Sequence, residues 1–216
     1  MGPVGTQGIF GFTTSDANLH LYVKTKSAFR YWKGIPTGVT MSRVWYLPDC
    51  QKWATAGSDF KLYLWNIKQN QDEGEYLVGK PLSLHYDEIT DCVEIKEPKC
   101  LCTCSMDRSI VMYDANQGYV IRVIKLAHEN SIKKMTYIKE YGGYLVTVSF
   151  NMDAKVWQPA NIYGEALLGK LKGHNNPIVS VEKLPGQPFV VTVDLVNTII
   201  IWDVRTLKSI QTITIK

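Results

Sequence analysis

The chain has 216 residues, 45% apolar and 20% charged, which is enough apolar material for a substantial core and too little charge for a disordered protein. Its net charge of +4 and pI of about 8.7 are mild, and the acidic residues interspersed through most of the chain favour ordinary solvated faces over the focused basic stripe that a nucleic-acid-binding surface needs. No apolar run of about 18 residues predicts a membrane span, and residues 1–5 lack the pattern of a secretory signal. Five cysteines without a disulfide-like framework predict a reducing, intracellular compartment.

Alternation of apolar and polar residues between turn residues predicts β-strands along the whole chain. Before residue 37 there is material for three strands, at about 7–13, 18–23 and 28–33. Four groups of four strands follow: 41–47, 52–57, 61–66 and 75–79; 88–95, 99–105, 109–114 and 119–124; 132–138, 143–149, 154–158 and 165–170; 178–184, 188–193, 198–203 and 208–215. The pattern therefore predicts an all-β protein built from repeated strand groups.

An aromatic residue ends one strand of each group at a nearly constant interval. These residues are Tyr22, Trp65, Tyr113, Trp157 and Trp202, and the intervals are 43, 48, 44 and 45 residues. A period of roughly 40 to 45 residues is typical of one four-stranded blade of a β-propeller. The spacing predicts a partial blade at 1–36 and complete blades at 37–80, 81–126, 127–171 and 172–216.

Polar residues recur at fixed distances before these aromatics. A serine eight residues before the aromatic and an aspartate or asparagine six residues before it occur in two groups: Ser105, Asp107 and Tyr113; Ser149, Asn151 and Trp157. A histidine stands 28 or 29 residues before the aromatic in three groups, at His85, His128 and His174. From about Thr6 to the C-terminus, these motifs resemble the WD-repeat family.

The resemblance implies that the histidine, the serine, the turn aspartate and the aromatic of a blade form one hydrogen-bonded chain. Carried over by position, the chains are His85, Ser105, Asp107 and Tyr113; and His128, Ser149, Asn151 and Trp157. A third chain is expected to be broken beyond His174 and Trp202, because Asp194 and Val196 stand at the two intermediate places. Tyr113 departs from the family, since it offers a hydroxyl at the ring tip where indole offers an N–H.

The number of blades bears on how the propeller closes. WD-repeat propellers usually close with seven or eight blades, and an open arc exposes strand edges that natural proteins avoid. We therefore expect four complete blades and a partial N-terminal blade that form an open arc or a segment of a larger propeller. The remaining blades would come from the same longer chain or from a partner chain, and a compact five-bladed ring is the alternative.

Two sequence patterns resemble sites for a cofactor or a metal but are better explained by structure. Cys100, Cys102 and Cys104 share one face of a predicted strand, yet a zinc site usually takes ligands in a turn, so we interpret them as core residues. Residues 164–170 match the start of a phosphate-binding loop, but Leu171 follows where Ser or Thr is required. No nucleophile and base are paired, so the sequence predicts no enzyme, cofactor or metal.

Partner contacts are expected at two places. Tyr31 and Trp32, beside Lys33 on a predicted outermost strand, either contact a partner or cover the apolar rim of a neighbouring strand. The early basic residues Lys24, Lys26, Arg30 and Lys33 could steer an acidic protein such as tubulin. At the other end, residues 202–205 resemble the W-D-x-R box of WD-repeat receptors in cullin-type ubiquitin ligases, which would use Arg205.

Residues 157–159, 171–179, 201–204 and 209–213 resemble large WD-repeat proteins of cilia and flagella. This resemblance implies a non-catalytic protein–protein interaction scaffold in a cytoskeletal or ciliary and axonemal assembly. Its partners would be scaffold or axonemal proteins, including tubulin, with neither nucleic acid nor membrane, and loops at 80–89, 127–131 and 173–177 would carry the contacts. It would be located in the cytoplasm, the cytoskeleton or the cilium, and a ubiquitin-ligase substrate receptor is the alternative function.

Overall fold

The computed structural model describes residues 8–68 and 75–215, and in these residues it has nineteen strands. None of the residues it describes belongs to a helix that could cross a membrane. The all-β prediction is confirmed, and each predicted strand agrees with a strand of the structure to within about three residues. The predicted beginning of the first strand at residue 7, and the expectation for residues 1–5, lie outside the described residues.

The strands form one three-stranded and four four-stranded antiparallel sheets. The first sheet contains β1 (Ile9–Thr13), β2 (Asn18–Lys24) and β3 (Phe29–Pro36). The second contains β4 (Met41–Leu47), β5 (Lys52–Gly57), β6 (Leu62–Lys68) and β7 (Glu75–Val78), and the third β8 (Ile89–Ile95), β9 (Cys100–Ser105), β10 (Ile110–Asp114) and β11 (Tyr119–Ile124). The fourth contains β12 (Ile132–Ile138), β13 (Tyr144–Ser149), β14 (Asp153–Trp157) and β15 (Leu167–Lys172), and the fifth β16 (Ile178–Lys183), β17 (Phe189–Asp194), β18 (Thr198–Asp203) and β19 (Lys208–Thr214).

The chain divides into two compact units, Met1–Ile89 and Thr90–Lys216. The core of the first unit lies between the first two sheets. Leu19, Leu21 and Ile35 are buried on one face of the first sheet and pack with Trp53 and Trp65 of the second. Each of these fully buried aliphatic side chains contributes roughly 1.5 to 3 kcal/mol through the hydrophobic effect. Because side chains alternate along a strand, the same sheet has a second face that points away from this core.

The second unit has two cores, one between each pair of successive sheets. In the first, Cys102, Ile110 and Met112 of the third sheet pack with Met135 and Trp157 of the fourth. In the second, side chains from the fourth sheet pack with side chains from the fifth: Val146, Val148, Val156, Ile178, Val181, Val190 and Trp202. Sheets of this unit are therefore stacked face to face, with the tryptophan of one sheet covered by aliphatic side chains of the preceding sheet.

Candidate functional site

His128 is the centre of a buried hydrogen-bonded chain in the fourth sheet. Its Nε2 lies 2.8 Å from Oγ1 of Thr147, and its Nδ1 lies 3.1 Å from Oγ of Ser149. The indole Nε1 of Trp157 donates to the same Thr147 hydroxyl at 2.8 Å. The chain was expected to consist of His128, Ser149, Asn151 and Trp157. It passes through Thr147, because one hydroxyl can both donate and accept, whereas the side chain of Asn151 bonds Asn130 and Glu129.

The environment of His128 keeps the imidazole neutral. Burial, with a smaller contribution from the positive charge of Lys155, lowers the pKa of His128 from 6.5 to about 3. Lys155 is itself buried; its Nζ donates to the carbonyl oxygen of Ala127 at 2.7 Å and lies 3.5 Å from Oε1 of Glu129. These contacts bind the segment before β12 to the third strand of the same sheet.

The chain in the fifth sheet differs from the sequence expectation. We expected it to be broken between His174 and Trp202, but Nε2 of His174 lies 2.7 Å from Oγ1 of Thr192, and the Trp202 indole donates to that hydroxyl at 2.7 Å. Nδ1 of His174 lies 3.2 Å from Oδ2 of Asp194, which stands where the third and fourth sheets have serine. Burial would raise the pKa of Asp194, but bonds from Thr198 N–H, His174 and Val196 N–H together lower it. A carboxylate thus replaces the hydroxyl without breaking the chain.

The shared threonine was missed by the sequence analysis, although the sequence contains a signal for it. Threonine stands ten residues before the aromatic in four repeats, at Thr55, Thr103, Thr147 and Thr192. In three of them its hydroxyl accepts a hydrogen bond from the indole, with Trp65 donating to Thr55 at 2.8 Å in the second sheet. The tyrosine at position 113 has no indole N–H to donate, and Thr103 Oγ1 lies 3.4 Å from the carbonyl oxygen of Val111.

The turn residues between the second and third strands hold the turns themselves. Asp107 Oδ1 accepts from the backbone N–H and the hydroxyl of Ser109 at 2.9 and 2.6 Å, and Ser105 Oγ lies 3.0 Å from the N–H of Asp107. Arg108 between them has a φ of 68°, a conformation that the aspartate bonds support.

The first expected chain consisted of His85, Ser105, Asp107 and Tyr113. His85 is buried in the first unit, and Ser105 and Tyr113 are buried in the second. The hydrogen-bonded connection from His85 to the other three residues stays a prediction.

The loops at one end of the fourth and fifth sheets are joined to each other. We define the histidine end as residues 125–131, 150–152, 173–177 and 195–197, which precede the first strand or connect the second and third strands of these sheets. In the β13–β14 turn, the side-chain oxygen of Asn151 accepts from Asn130 and its side-chain nitrogen donates to Glu129. The carbonyl oxygen of Asn151 accepts from Ile178 N–H of the fifth sheet at 3.0 Å. The carbonyl oxygen of Pro177 accepts from Leu195 N–H at 3.1 Å.

Apolar side chains project from the histidine end despite these bonds. Leu126, Phe150, Met152, Leu195 and Val196 are each exposed by 43 to 67%. The ring of Phe150 lies 4.5 Å from Nζ of Lys133, so a cation accompanies the aromatic side chain. The histidine end is therefore a set of rigidly anchored loops with exposed apolar side chains, which is the usual composition of a protein-binding surface.

The structure separates the residues proposed as partner contacts near the N-terminus. β3 is the outermost strand of the first sheet, as predicted, and Tyr31 is 52% exposed. Trp32 is half-buried and packs against the core of the first unit, so it covers the apolar rim, the second of the two interpretations. Lys33 is half-buried opposite Leu21.

Arg205 is exposed but held by neighbouring side chains. Its Nε and one terminal nitrogen donate to the two carboxylate oxygens of Asp203 at 3.0 and 2.8 Å, and its guanidinium lies 5.6 Å from the ring centre of Tyr141. This pairing lowers the pKa of Asp203 and raises the pKa of Arg205. A partner of Arg205 would have to displace a bidentate carboxylate.

The cysteines of β9 pack in the core, as interpreted from the sequence. Cys100, Cys102 and Cys104 belong to the first core of the second unit. Burial, with the charge of Asp114 as a smaller cause, raises the pKa of Cys100 to about 12, and burial raises the pKa of Cys102 and Cys104 well above its usual range. Residues 167–172 form the outer strand β15, which agrees with the interpretation of that segment as a strand.

These thiols should be inert in the native protein. Because the thiolate is the reactive form, we expect only Cys50, which is half-buried in a turn, to react promptly with a disulfide reagent at about pH 8. The other four cysteines should react only after denaturation. Measuring the coloured thiolate that the reagent releases over time checks this, and Cys50→Ser should abolish the fast phase. A second promptly reacting thiol would contradict the packing of β8 or β9.

The sheets and their tryptophan–threonine–histidine bonds are consistent with the class of WD-repeat β-propeller blades. No protein-family model matches the chain. The chain is 28% identical to telomerase protein component 1 of Rattus norvegicus over 78% of its length. It is 27% identical to nuclear distribution protein nudF of Aspergillus flavus over 65% of its length. It is 24% identical to cilia- and flagella-associated protein 337 B of Tetrahymena thermophila over 59% of its length. These relatives are WD-repeat proteins, so the resemblance to that family is confirmed at low identity. The chain spans 6%, 31% and 10% of their lengths, respectively.

Proposed function

We propose that the chain is a non-catalytic protein–protein interaction scaffold of a cytoskeletal or ciliary assembly, located in the cytoplasm, the cytoskeleton or the cilium. In this proposal each sheet is one blade, and the histidine end carries the partner contacts. The observation that supports it is the exposure of five apolar side chains on loops anchored by His128 and His174. Rigid loops bind with a smaller loss of conformational entropy than mobile ones.

The setting is proposed from the similar proteins and from charge. One of the relatives is named as associated with cilia and flagella and another as a nuclear distribution protein. The net charge of +4 favours association with acidic proteins, among which we propose tubulin and other axonemal components. The names of the similar proteins and the net charge indicate which assembly the protein belongs to, whereas the exposed loops indicate where its partners bind.

The experiment compares charge-introducing substitutions in the loops of the histidine end with a substitution of the same kind on an outer strand. Phe150→Glu combined with Leu195→Glu places two charges on the histidine end, where both side chains are exposed, so folding should be retained. We expect at least a tenfold loss of binding in co-sedimentation with microtubules and in pull-down of identified axonemal proteins from ciliary extract, because charges in an apolar interface must be desolvated.

The matched control is Leu168→Glu, a similarly exposed leucine on the outer strand β15, which should bind as the wild type does. Equal binding by the loop variant and the wild type would refute the histidine end as the contact surface. Capture of a cullin adaptor in place of axonemal proteins, lost in Arg205→Ala, would refute the scaffold proposal in favour of a ligase receptor.

A further inference from the structure

The outer edge of the fifth sheet is open along a whole strand. β19 pairs with β18 on one side, and in the residues that the structure describes no strand pairs with its other side. Every residue of β19 is exposed. An exposed strand edge offers a row of backbone N–H and C=O groups that another strand can bind. The fifth sheet can therefore be extended at β19.

The register of β19 shows which of its backbone groups point outward. The N–H of Ile215 donates to the carbonyl oxygen of Asn197 at 3.3 Å, and Thr214 lies opposite Thr198. In an antiparallel pair, hydrogen-bonded and non-hydrogen-bonded positions alternate along the strand. Thr212 and Thr214 therefore stand at positions that are not hydrogen-bonded to β18, and their N–H and C=O groups point away from the sheet.

β19 lacks the charged residue that stands in the middle of the other two outer strands of the second unit. Arg122 is the fourth residue of β11, and Lys170 is the fourth residue of β15. Residues 209–215, in contrast, include no charged residue, proline or glycine. Natural proteins place charges or proline on exposed edges to prevent edge-to-edge pairing. The absence of these residues favours pairing of the β19 edge.

Three isoleucines project from the open strand. Ile210, Ile213 and Ile215 are exposed by 53, 41 and 56%, respectively. On the side of β18, Ile213 lies opposite Ile199. Apolar β-branched side chains stabilise a sheet through neighbours on both adjacent strands. A strand added to β19 would therefore cover isoleucine surface as well as bind backbone groups.

We propose that two copies of the chain pair antiparallel through β19 and form one continuous eight-stranded sheet. Identical antiparallel strands are related by a two-fold axis perpendicular to the sheet. With Ile213 on this axis, Thr212 of each copy lies opposite Thr214 of the other, and both threonine pairs exchange hydrogen bonds through their outward backbone groups. The two Ile213 side chains meet at a non-hydrogen-bonded position, where opposite side chains are closest.

A second copy fits this edge because it brings the same uncharged sequence. No like charges meet between residues 211 and 215, and each copy supplies the backbone donors and acceptors that the other requires. The two-fold arrangement also uses both β19 edges, so association stops at the dimer. This edge is separate from the histidine end, and the two proposals therefore fail independently.

Sedimentation equilibrium of the whole chain tests the proposal. We expect the mass to rise from 24.5 kDa to twice that value over roughly 1 to 300 μM protein, because the interface of a single strand edge is small and weak. Thr212→Pro should raise the dissociation constant roughly tenfold or more, since proline removes an outward N–H that the fold of one copy does not use. Circular dichroism checks that the variant is folded.

Opposite charges on the two-fold axis provide a sharper test. Ile213→Lys and Ile213→Glu should each sediment as a monomer, because like charges directly opposite one another destabilise a strand pair. An equimolar mixture of the two variants should form a mixed dimer, because a lysine then lies opposite a glutamate. An affinity tag on one variant allows the mixed dimer to be captured and its composition measured.

Two control variants place charges elsewhere. Val123→Lys introduces a lysine at an exposed position of the outer strand β11 and should dimerise as the wild type does. Phe150→Glu with Leu195→Glu should also dimerise normally, which separates the present proposal from that for the histidine end.

Four results would overturn the proposal. The first is a monomer at every concentration, and the second is a dimer that Thr212→Pro and Ile213→Lys leave intact. The third is a mixture of the two charged variants that stays monomeric, since Ile213 would then not lie on the axis. The fourth is growth into oligomers larger than a dimer, which a closed two-fold pairing does not allow.

Discussion

Replacing Thr147 with valine is expected to lower the free energy of unfolding by about 2 to 4 kcal/mol. Valine has nearly the same shape, so the loss comes from hydrogen bonding rather than from a cavity. Both His128 Nε2 and the indole N–H of Trp157 would lose their partner in a buried site. Chemical denaturation followed by tryptophan fluorescence and circular dichroism measures the change.

Two threonines provide matched controls for this substitution. Thr192→Val should be as destabilising as Thr147→Val, because Thr192 also joins a histidine to an indole. Thr55→Val removes the bond from Trp65 and should cost about 1 to 2 kcal/mol. Equal losses at Thr55 and Thr147 would show that the histidine adds nothing to the chain, contrary to the geometry.

The second large effect is a loss of folding stability in acid, which follows from the lowered pKa of His128. The pKa of His128 is about 3 in the folded protein and 6.5 in the unfolded chain, so below pH 6.5 the unfolded state binds a proton that the folded state does not. Its contribution to stability is therefore complete above pH 6.5 and is lost progressively as the pH falls towards 3. Between pH 6.5 and about 4.5, this loss amounts to about 2 to 3 kcal/mol.

His128→Gln isolates this effect, because glutamine can hydrogen-bond but does not titrate. The variant should be less stable than the wild type at pH 7.5, yet its stability should fall less steeply between pH 6.5 and about 4.5. Parallel urea denaturation series of both proteins across this interval check the prediction. Identical slopes would mean that His128 titrates normally in the folded protein and is open to solvent.

The hydrogen-bonded chains illustrate how far a repeat pattern can predict a site. The spacing from His128 to Trp157 located both ends of one chain, because blade length sets which residues return to the same place in successive sheets. It did not identify Thr147, whose role depends on the depth at which its hydroxyl lies between indole and imidazole. The repeat pattern also failed at Asp194. Serine was expected at this position and its absence was interpreted as a break, but a carboxylate can accept the same hydrogen bond from His174.

The residues predicted to contact a partner could not be distinguished by their positions in the sequence. Tyr31 and Trp32 are adjacent in sequence and were interpreted together, but neighbouring positions of a strand point to different faces, and the register shifts between Leu21 and Tyr22 on the paired strand. Trp32 consequently packs towards the core, and Tyr31 lies on the other side of the sheet against Tyr22. Of the loops of the histidine end, 127–131 and 173–177 were predicted from chain position, whereas 150–152 and 195–197, which carry most of the exposed apolar side chains, were not.

The sequence by itself determined the all-β fold, the strand positions and the repeat period, because each follows from local alternation and from spacing along the chain. Tertiary structure alone decided which hydroxyl joins His128 to Trp157 and which of Tyr31 and Trp32 is exposed. These outcomes depend on distances between side chains brought together by packing. Packing joins residues far apart in sequence, so no local pattern encodes their separation.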